Sequence, residues 1–175
     1  MSNLVFHHHS EPFEVWKFTP DLLHAFPFYM EPVGTSWRIR CVMEFFVGYS
    51  VYYIKINGEW AGYCVISNGR NPRYSFSTDR DIIFGRYFIA KKFRGKGLGA
   101  QMLDEVLNHS GLVYEKAFAY LRCSNTASVK SIERLGAKRV KQFDIKGLTR
   151  RLYDAENGEF VLYEYKTASK LSHGE

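Results

Sequence analysis

Cysteine is scarce in this chain: Cys41, Cys64 and Cys123 are three among 175 residues. The count is odd and the spacing fits no zinc pattern, so the thiols read as buried or free groups in a reducing compartment. No apolar run approaches the ~18 residues of a membrane-spanning helix. The stretch MSNLVFHHHSEP lacks an apolar core long enough for a secretory signal. Both absences make the cytoplasm the expected location and a membrane partner unexpected. Internal repeats and low-complexity linkers are missing too, and the length suits one domain with a full core. Acidic residues number 18 against 24 Lys and Arg, giving a net charge of +6 and a pI near 9.2. That imbalance favours an anionic ligand, whether nucleotide, nucleic acid or glycan, without choosing among them. No RNP-like or helix-turn-helix pattern is present, so nucleic acid is not an expected partner.

Aromatic residues, in contrast, are abundant at 17%, with 12 Tyr and 14 Phe. They predict a large aromatic core or a groove lined by rings. His7, His8 and His9 read as part of a polar tail, with no metal expected. FEVWKF (13–18) alternates as a first strand. Thr19 and Pro20 resemble a cap followed by proline at the first helical position, predicting a short helix through DLLHAF. A second helix is expected over about 36–47. In SVYYIKINGEWAGYCVIS, two β-rich runs flank Asn57-Gly58, the pair that supplies the positive φ angles of a type I′ hairpin. A polar loop (68–80) leads to the buried strand DIIFGRYFIA (81–90). Leu98, Met102, Leu103, Val106 and Leu107 fall on one face of a helix over about 97–108. KAFAYLRC (116–123) is the next strand. Asn125 or Thr126 caps a helix over SVKSIERL, which Gly136 ends. AKRVKQFDI and EFVLYEYK close the chain as strands. The order β-α-α-β-β-β-α-β-α-β-β describes a single α/β domain with a mixed sheet.

The segment FIAKKFRGKGLGAQML (88–103) carries the chemistry. A helix N-terminus leaves backbone N–H groups unpaired and bears partial positive charge, which suits an anion. Glycine lets that backbone approach an oxygen closely and adopt positive φ. Arg94 and Lys96 add full charges. The Walker pattern fails, since Lys96 lies between glycines and no Ser or Thr follows in place. Gly95, Gly97 and Ala100 formally satisfy the dinucleotide fingerprint. However, KKFR separates strand from glycine and about 90 residues precede the motif, where a dinucleotide fold usually opens with it.

Arg94-x-x-Gly97-x-Gly99 resembles the pyrophosphate loop of the GCN5-related N-acetyltransferases, the GNAT superfamily. FIAKKF is similar to the family's fourth strand and its connection. Asn125-x-x-Ser128 with ERLGA (133–137) is similar to its next helix, and NGEWAGYCVIS to its second hairpin. The resemblance implies a mixed, mostly antiparallel central sheet of about six or seven strands with about four helices. The domain spans 12–167, with tails at 1–11 and 168–175. It implies acetyl-CoA as co-substrate and no metal. The pyrophosphate would rest on Arg94, Gly95, Lys96, Gly97, Leu98, Gly99 and Ala100, with Lys96 either solvated or reaching the 3′-phosphate. The pantetheine arm would lie along Phe88, Ile89 and Ala90 and meet Asn125 and Ser128. An N–H near Ile89 or Ala90 would polarise the acyl carbonyl.

The resemblance also implies direct attack by an amine and a tyrosine seven residues after the asparagine to protonate the thiolate. That position holds Ile132. Catalytic candidates elsewhere are Tyr87, Asp81 and Tyr153, with Tyr163, Glu44 and His24 behind them. Cys123 reads as a small buried hydrophobe rather than an acyl carrier. The acceptor pocket is expected from 20–48, 68–80 and 141–163. These segments hold Phe26, Phe28, Tyr29, Trp37, Arg38, Arg70, Arg73, Tyr74, Arg150 and Arg151, suited to a sugar ring or a phosphorylated small molecule. The expected partner is therefore a small-molecule amine, an amino sugar or nucleotide-linked amino sugar in preference to a peptide tail. A non-catalytic acyl-CoA binder is the alternative. The resemblance makes a homodimer possible through the C-terminal strands, with VLYEY as one of them.

Overall fold

The chain runs β1 Leu4–Ser10, β2 Phe13–Phe18, α1 Thr35–Val47, β3 Tyr49–Ile56, β4 Glu59–Asn68, β5 Ile82–Ile89, α2 Leu98–Asp104, β6 Ala117–Arg122, α3 Thr126–Arg134, β7 Lys138–Lys146, β8 Arg151–Asp154 and β9 Phe160–Tyr165. A 3₁₀ turn at Lys91–Phe93 precedes α2, and a π-helical turn at Glu105–His109 continues it. This is a computed structural model, and it describes residues 3–24, 26–28, 30, 31, 34–146 and 151–166. All nine strands join one sheet in the order β1-β2-β3-β4-β5-β6-β9-β7-β8. Every neighbouring pair is antiparallel except β5–β6. The sheet is thus mixed and mostly antiparallel, as expected, but has nine strands and three α-helices among the described residues.

Several elements form for the reasons their sequences state. Asn57 (φ 53) and Gly58 (φ 75) make the β3–β4 turn with both central residues left-handed. Asn125 caps α3 by accepting the Ser128 N–H at 3.2 Å, and Gly136 leaves the helix end at φ 89.

Others differ. Leu4–Ser10, expected within a tail, is edge strand β1, paired to β2. His7 Nε2 meets the Ser110 carbonyl at 3.0 Å, His8 Nε2 meets Glu105 Oε1 at 2.5 Å, and Ser10 donates to Glu105 Oε2 at 2.9 Å. The polar run is therefore fastened to the buried Glu105 of the π turn. DLLHAF makes no helix among its described residues. The Asp21 carboxylate accepts the N–H groups of Leu23 (2.9 Å) and His24 (2.7 Å), closing a turn in competition with the helical ladder. VLYEY lies in β9, between β6 and β7, so both its edges are already paired.

The feature that shapes the site is a slip in register. Cys64 pairs with Tyr87 and Ile66 with Phe84, so Gly85 and Arg86 together face Val65. Such a bulge bends and twists its strand. On the other side, β5 pairs with β6 only at Ile82–Ala117 and Ile83–Phe118. Beyond Ile83 the two strands part.

One face of the sheet packs against α2 and α3 through Val15, Tyr52, Cys64, Phe84, Met102, Leu103 and Ile132. The opposite face, toward α1, buries Phe18, Cys41, Tyr53, Tyr63 and Val65. A third cluster holds Tyr74, Phe118, Phe143 and Phe160. The rings counted in the sequence are thus mainly core.

Burial has a titration consequence. It raises the phenols of Tyr49, Tyr53, Tyr63, Tyr87, Tyr114 and Tyr163, with Tyr63 and Tyr163 pushed up to about 12. These groups hold their protons more tightly folded than unfolded. Their contribution to stability is complete below the ordinary tyrosine value of 10.0 and is lost as pH rises past it. Melting temperature is expected to fall as pH rises above 10, with part of the phenolate absorbance developing only as the chain unfolds. Full phenolate absorbance at pH 11 with native circular dichroism would contradict this assignment.

Candidate active site

Where β5 and β6 part, the start of α2 and one face of α3 close a cleft of about 490 Å³, within the range of small-ligand sites. Its strand wall is Tyr87, Phe88 and Ile89. Its mouth is Arg94, Gly95, Gly97, Leu98 and Gly99. Its far wall comes from Asn125 and α3. The end of β5, the glycine segment that follows it and the more distant asparagine cap therefore surround one space.

The mouth is built for close approach. Gly97, the residue before α2, is left-handed at φ 76. Gly99 faces α3 so closely that a Cβ there would lie 2.8 Å from Ser131 Oγ and 3.8 Å from the Tyr87 ring. The N–H groups of Gly97, Leu98 and Gly99 have no hydrogen-bond partner among the described residues, as the first turn of a helix requires. Arg94 folds back to donate from Nε to the Ile89 carbonyl at 2.8 Å, with its guanidinium 5.3 Å from the Phe88 ring centre. Lys130 and Arg134 bring two more cations from α3. Unpaired N–H groups, close-packed glycines and three cations fit a pyrophosphate, the anionic part of CoA.

Not every predicted residue is in this wall. Lys96 is exposed and, with Ala90 and Ala100, does not line the cleft. Ala90 donates its N–H to the Ala61 carbonyl at 2.9 Å, so it is committed to β4 and is no oxyanion donor. In an antiparallel ladder successive N–H groups point to opposite edges, which turns the Ile89 N–H toward the parted side. Lys92 is paired with Glu59.

The catalytic candidates separate in the same way. Tyr87 stands in the cleft, and its hydroxyl donates to the Ser128 carbonyl at 3.1 Å. Burial raises its phenol above the ordinary value, so it stays protonated at neutral pH. Asp81 is a loop latch: its buried carboxylate accepts from Thr78 N (2.7 Å), Thr78 Oγ1 (2.8 Å) and Lys116 N (3.1 Å), away from the cleft wall. Tyr153 lies on β8 at the far end of the sheet. Tyr163 donates to Glu133 at 2.9 Å, His24 meets Asp21 at 3.2 Å, and Glu44 accepts from Tyr74 at 3.1 Å. Cys123 accepts from Gln142 at 3.1 Å. Ile132 is 1% exposed and belongs to the core, not to the cleft face of α3.

On the α1 side of β5 the structure brings together three residues that the sequence did not single out. Arg86, from the bulge, donates from Nη2 to Glu31 Oε1 at 2.8 Å and from Nε to the Tyr63 hydroxyl at 3.0 Å. Tyr63 donates to the same Glu31 oxygen at 3.1 Å. Its ring stacks on Phe88 at 5.9 Å, next to the cleft. No local pattern signals a contact across 55 residues. Lys130 and Arg134, in contrast, were readable: with Ala127 and Ser131 they share one face of α3. Among the expected acceptor residues, Phe26 and Phe28 are half-exposed rings, and Arg70 donates to the Val47 carbonyl at 3.1 Å. Tyr29 and Arg150 lie outside the described residues, as do the side chains of Trp37 and Arg151.

The fold has counterparts among solved structures. The protein smu.2055 from Streptococcus mutans UA159 is 22% identical, over 81% of this chain and 82% of that one, with a TM-score of 0.53. The putative acetyltransferase yncA from Salmonella typhimurium, solved with its cofactor acetyl-CoA, is 18% identical, over 81% and 79%, with a TM-score of 0.51. An acetyltransferase from Thermus thermophilus is 17% identical, over 68% of this chain and 64% of that one, with a TM-score of 0.50. The present chain thus spans less than two thirds of the Thermus protein's length. No curated protein sequence matches it. The model of the Acetyltransferase (GNAT) family matches residues 7–137. Because that match runs unbroken from β1 through α3, the elements that build the cleft, this chain belongs to the Acetyltransferase (GNAT) family.

Proposed function

We propose that the protein transfers the acetyl group of acetyl-CoA to the primary amine of a small molecule, an amino sugar or nucleotide-linked amino sugar, by direct attack. The observation that carries this reading is the cleft itself, a gap in the sheet with unpaired N–H groups and three cations at its mouth and apolar side chains along its wall. Acetyl-CoA supplies an activated acyl group as a thioester. Arg94, Lys130, Arg134 and the N–H groups of Gly97, Leu98 and Gly99 hold the anionic end. Phe88 and Ile89 line the arm, and Asn125 and Ser128 face it from α3.

The Ile89 N–H is the donor for the acyl oxygen, a type of contact worth about 3 kcal/mol. The amine attacks the acyl carbon as its neutral form. The C–N bond forms, the C–S bond breaks, and the amine's proton passes to solvent. Tyr87 then donates its retained proton to the departing thiolate, whose ordinary pKa is ~8.5. This tyrosine reaches the cleft from β5, where the helix position has Ile132. A phenol in the cleft favours turnover over a protein that only binds acyl-CoA. The half-exposed rings of Phe26 and Phe28 support a sugar-like acceptor.

Gly97→Asp and Gly99→Asp place a carboxylate where phosphate is expected. Gly97→Asp should remain folded, Gly99→Asp should also lose stability because its Cβ would meet Ser131, and both should bind acetyl-CoA about a hundredfold or more weakly, measured by calorimetry. Retained affinity in both would remove this loop from the binding site.

Thiol release from acetyl-CoA is expected to depend on amino sugars in a panel that also contains lysine-rich peptides and polyamines. Release with peptides alone would reject the small-molecule reading, and binding without any amine-dependent release would favour the non-catalytic binder.

Tyr87→Phe should lower kcat roughly tenfold or more while leaving the KM for acetyl-CoA unchanged. Ile132→Tyr should not restore the Tyr87→Phe rate, because the new ring enters a filled core and costs about 1–3 kcal/mol of stability. An unaltered kcat in Tyr87→Phe would assign proton donation to water.

A further inference from the structure

The Glu31–Arg86 pair lies on the sheet face opposite α2 and α3, one ring away from the cleft. Arg86 and Tyr87 are neighbours in β5, and the alternation of a strand sends them to opposite faces. Tyr87 enters the cleft, while Arg86 emerges toward α1. Phe88, the next residue, lines the cleft and carries the stacked Tyr63 ring. Tyr63 in turn joins both charges, accepting from Arg86 and donating to Glu31. Upstream of Glu31 in the chain, the Tyr53 hydroxyl donates to the Phe28 carbonyl. Glu31 and Arg86 are 30% and 27% exposed, so both charges are reachable from solvent. Ion pairs this exposed add little to stability. The second Glu31 oxygen accepts no hydrogen bond from any described residue.

We infer that this pair reads the acceptor, and that the acceptor carries an anionic group, carboxylate or phosphate, beside its primary amine. The inference rests on the transferase reading above. The two opposite charges touch at 2.8 Å, so a molecule with an ammonium and an anion on neighbouring atoms exchanges one internal ion pair for two with the protein. Glu31 receives the ammonium and Arg86 the anion, the planar guanidinium being suited to carboxylate and phosphate oxygens. A neutral amino sugar or a simple amine takes the place of Arg86 at Glu31 but offers Arg86 no anion in return for Glu31. The arrangement selects by charge pattern, and the ammonium held at Glu31 gives up its proton to solvent before the neutral amine attacks.

The test uses the full chain and matched probes: α-amino acids against their amides, and amino-sugar phosphates against the parent amino sugars. The anion-bearing member of at least one pair should be preferred about tenfold or more in kcat/KM. Which pair shows the preference distinguishes carboxylate from phosphate. Arg86→Gln should bring that ratio to about one, mainly through KM, with acetyl-CoA affinity unchanged. Glu31→Gln should raise the KM of both members. Arg86→Lys, which keeps the charge, should retain part of the preference and shows that a loss in Arg86→Gln is not a folding defect. A ratio near one in the unaltered protein, or a ratio preserved in Arg86→Gln, overturns this inference alone. Absence of thiol release with every probe, while acetyl-CoA still binds, overturns the transferase reading and this inference with it.

Discussion

One residue too many in β5 sets the geometry on which the rest of the site depends. Gly85 and Arg86 face the single residue Val65, and the strand is bent away from β6 after only two paired positions. A sheet interior that loses its ladder exposes backbone donors and acceptors, which is costly unless something else pairs with them. Here the parted edge becomes the wall of a cleft, and the Ile89 N–H faces it. The same bulge fixes which side chains go where. With one residue fewer, Arg86 and Tyr87 would exchange faces relative to the residues before the bulge. The phenol would then leave the cleft and the guanidinium would enter it.

Packing around the cleft explains why the residues cannot be interchanged. Gly99 and Ser131 are in near contact, so the start of α2 lies directly against α3. That contact leaves no room for a side chain at 99, and it brings the first-turn N–H groups close to Lys130 and Arg134. It also turns the opposite side of α3 inward, where Ile132 is buried with Met102 and Leu103. A tyrosine presented from that helix position has no path to the cleft. The phenol in the cleft instead comes from β5, against the Ser128 carbonyl.

What could be read in the sequence follows from the range of the interactions. The Asn57–Gly58 turn, the Asn125 cap and the glycines at 97 and 99 are local conformational demands, and a local pattern states them. The buried strands and helix faces were readable for the same reason. β1 was not. Its polar run looks like a tail until Glu105, 97 positions from His8, supplies a buried partner. Thr19 and Pro20 fit a helix start by local pattern, but the Asp21 carboxylate takes the Leu23 and His24 N–H groups and closes a turn instead. Asp81, at the start of the strand, suits a base by position alone, yet its three hydrogen bonds use it to close the loop into β5. Glu31 and Arg86 were missed for a related reason. They become a pair only when β4 places Tyr63 between them.

The electrostatics of the two sides then differ in kind. At the mouth, the cations are unbalanced: Arg94, Lys130 and Arg134 line the cleft, and no carboxylate joins them in its wall. Such a surface attracts polyanions broadly, the Coulombic attraction having to exceed the cost of desolvating both partners. Across Phe88, the charges of Glu31 and Arg86 cancel. A balanced pair attracts no ion from a distance, and whatever displaces one of its charges must supply a replacement of the same sign. Phe88 links these regions, with both the Arg94 guanidinium and the Tyr63 ring against its ring. An unbalanced cluster of cations and a balanced ion pair are thus held a single aromatic ring apart. The bulge in β5 supplies the residues that face both.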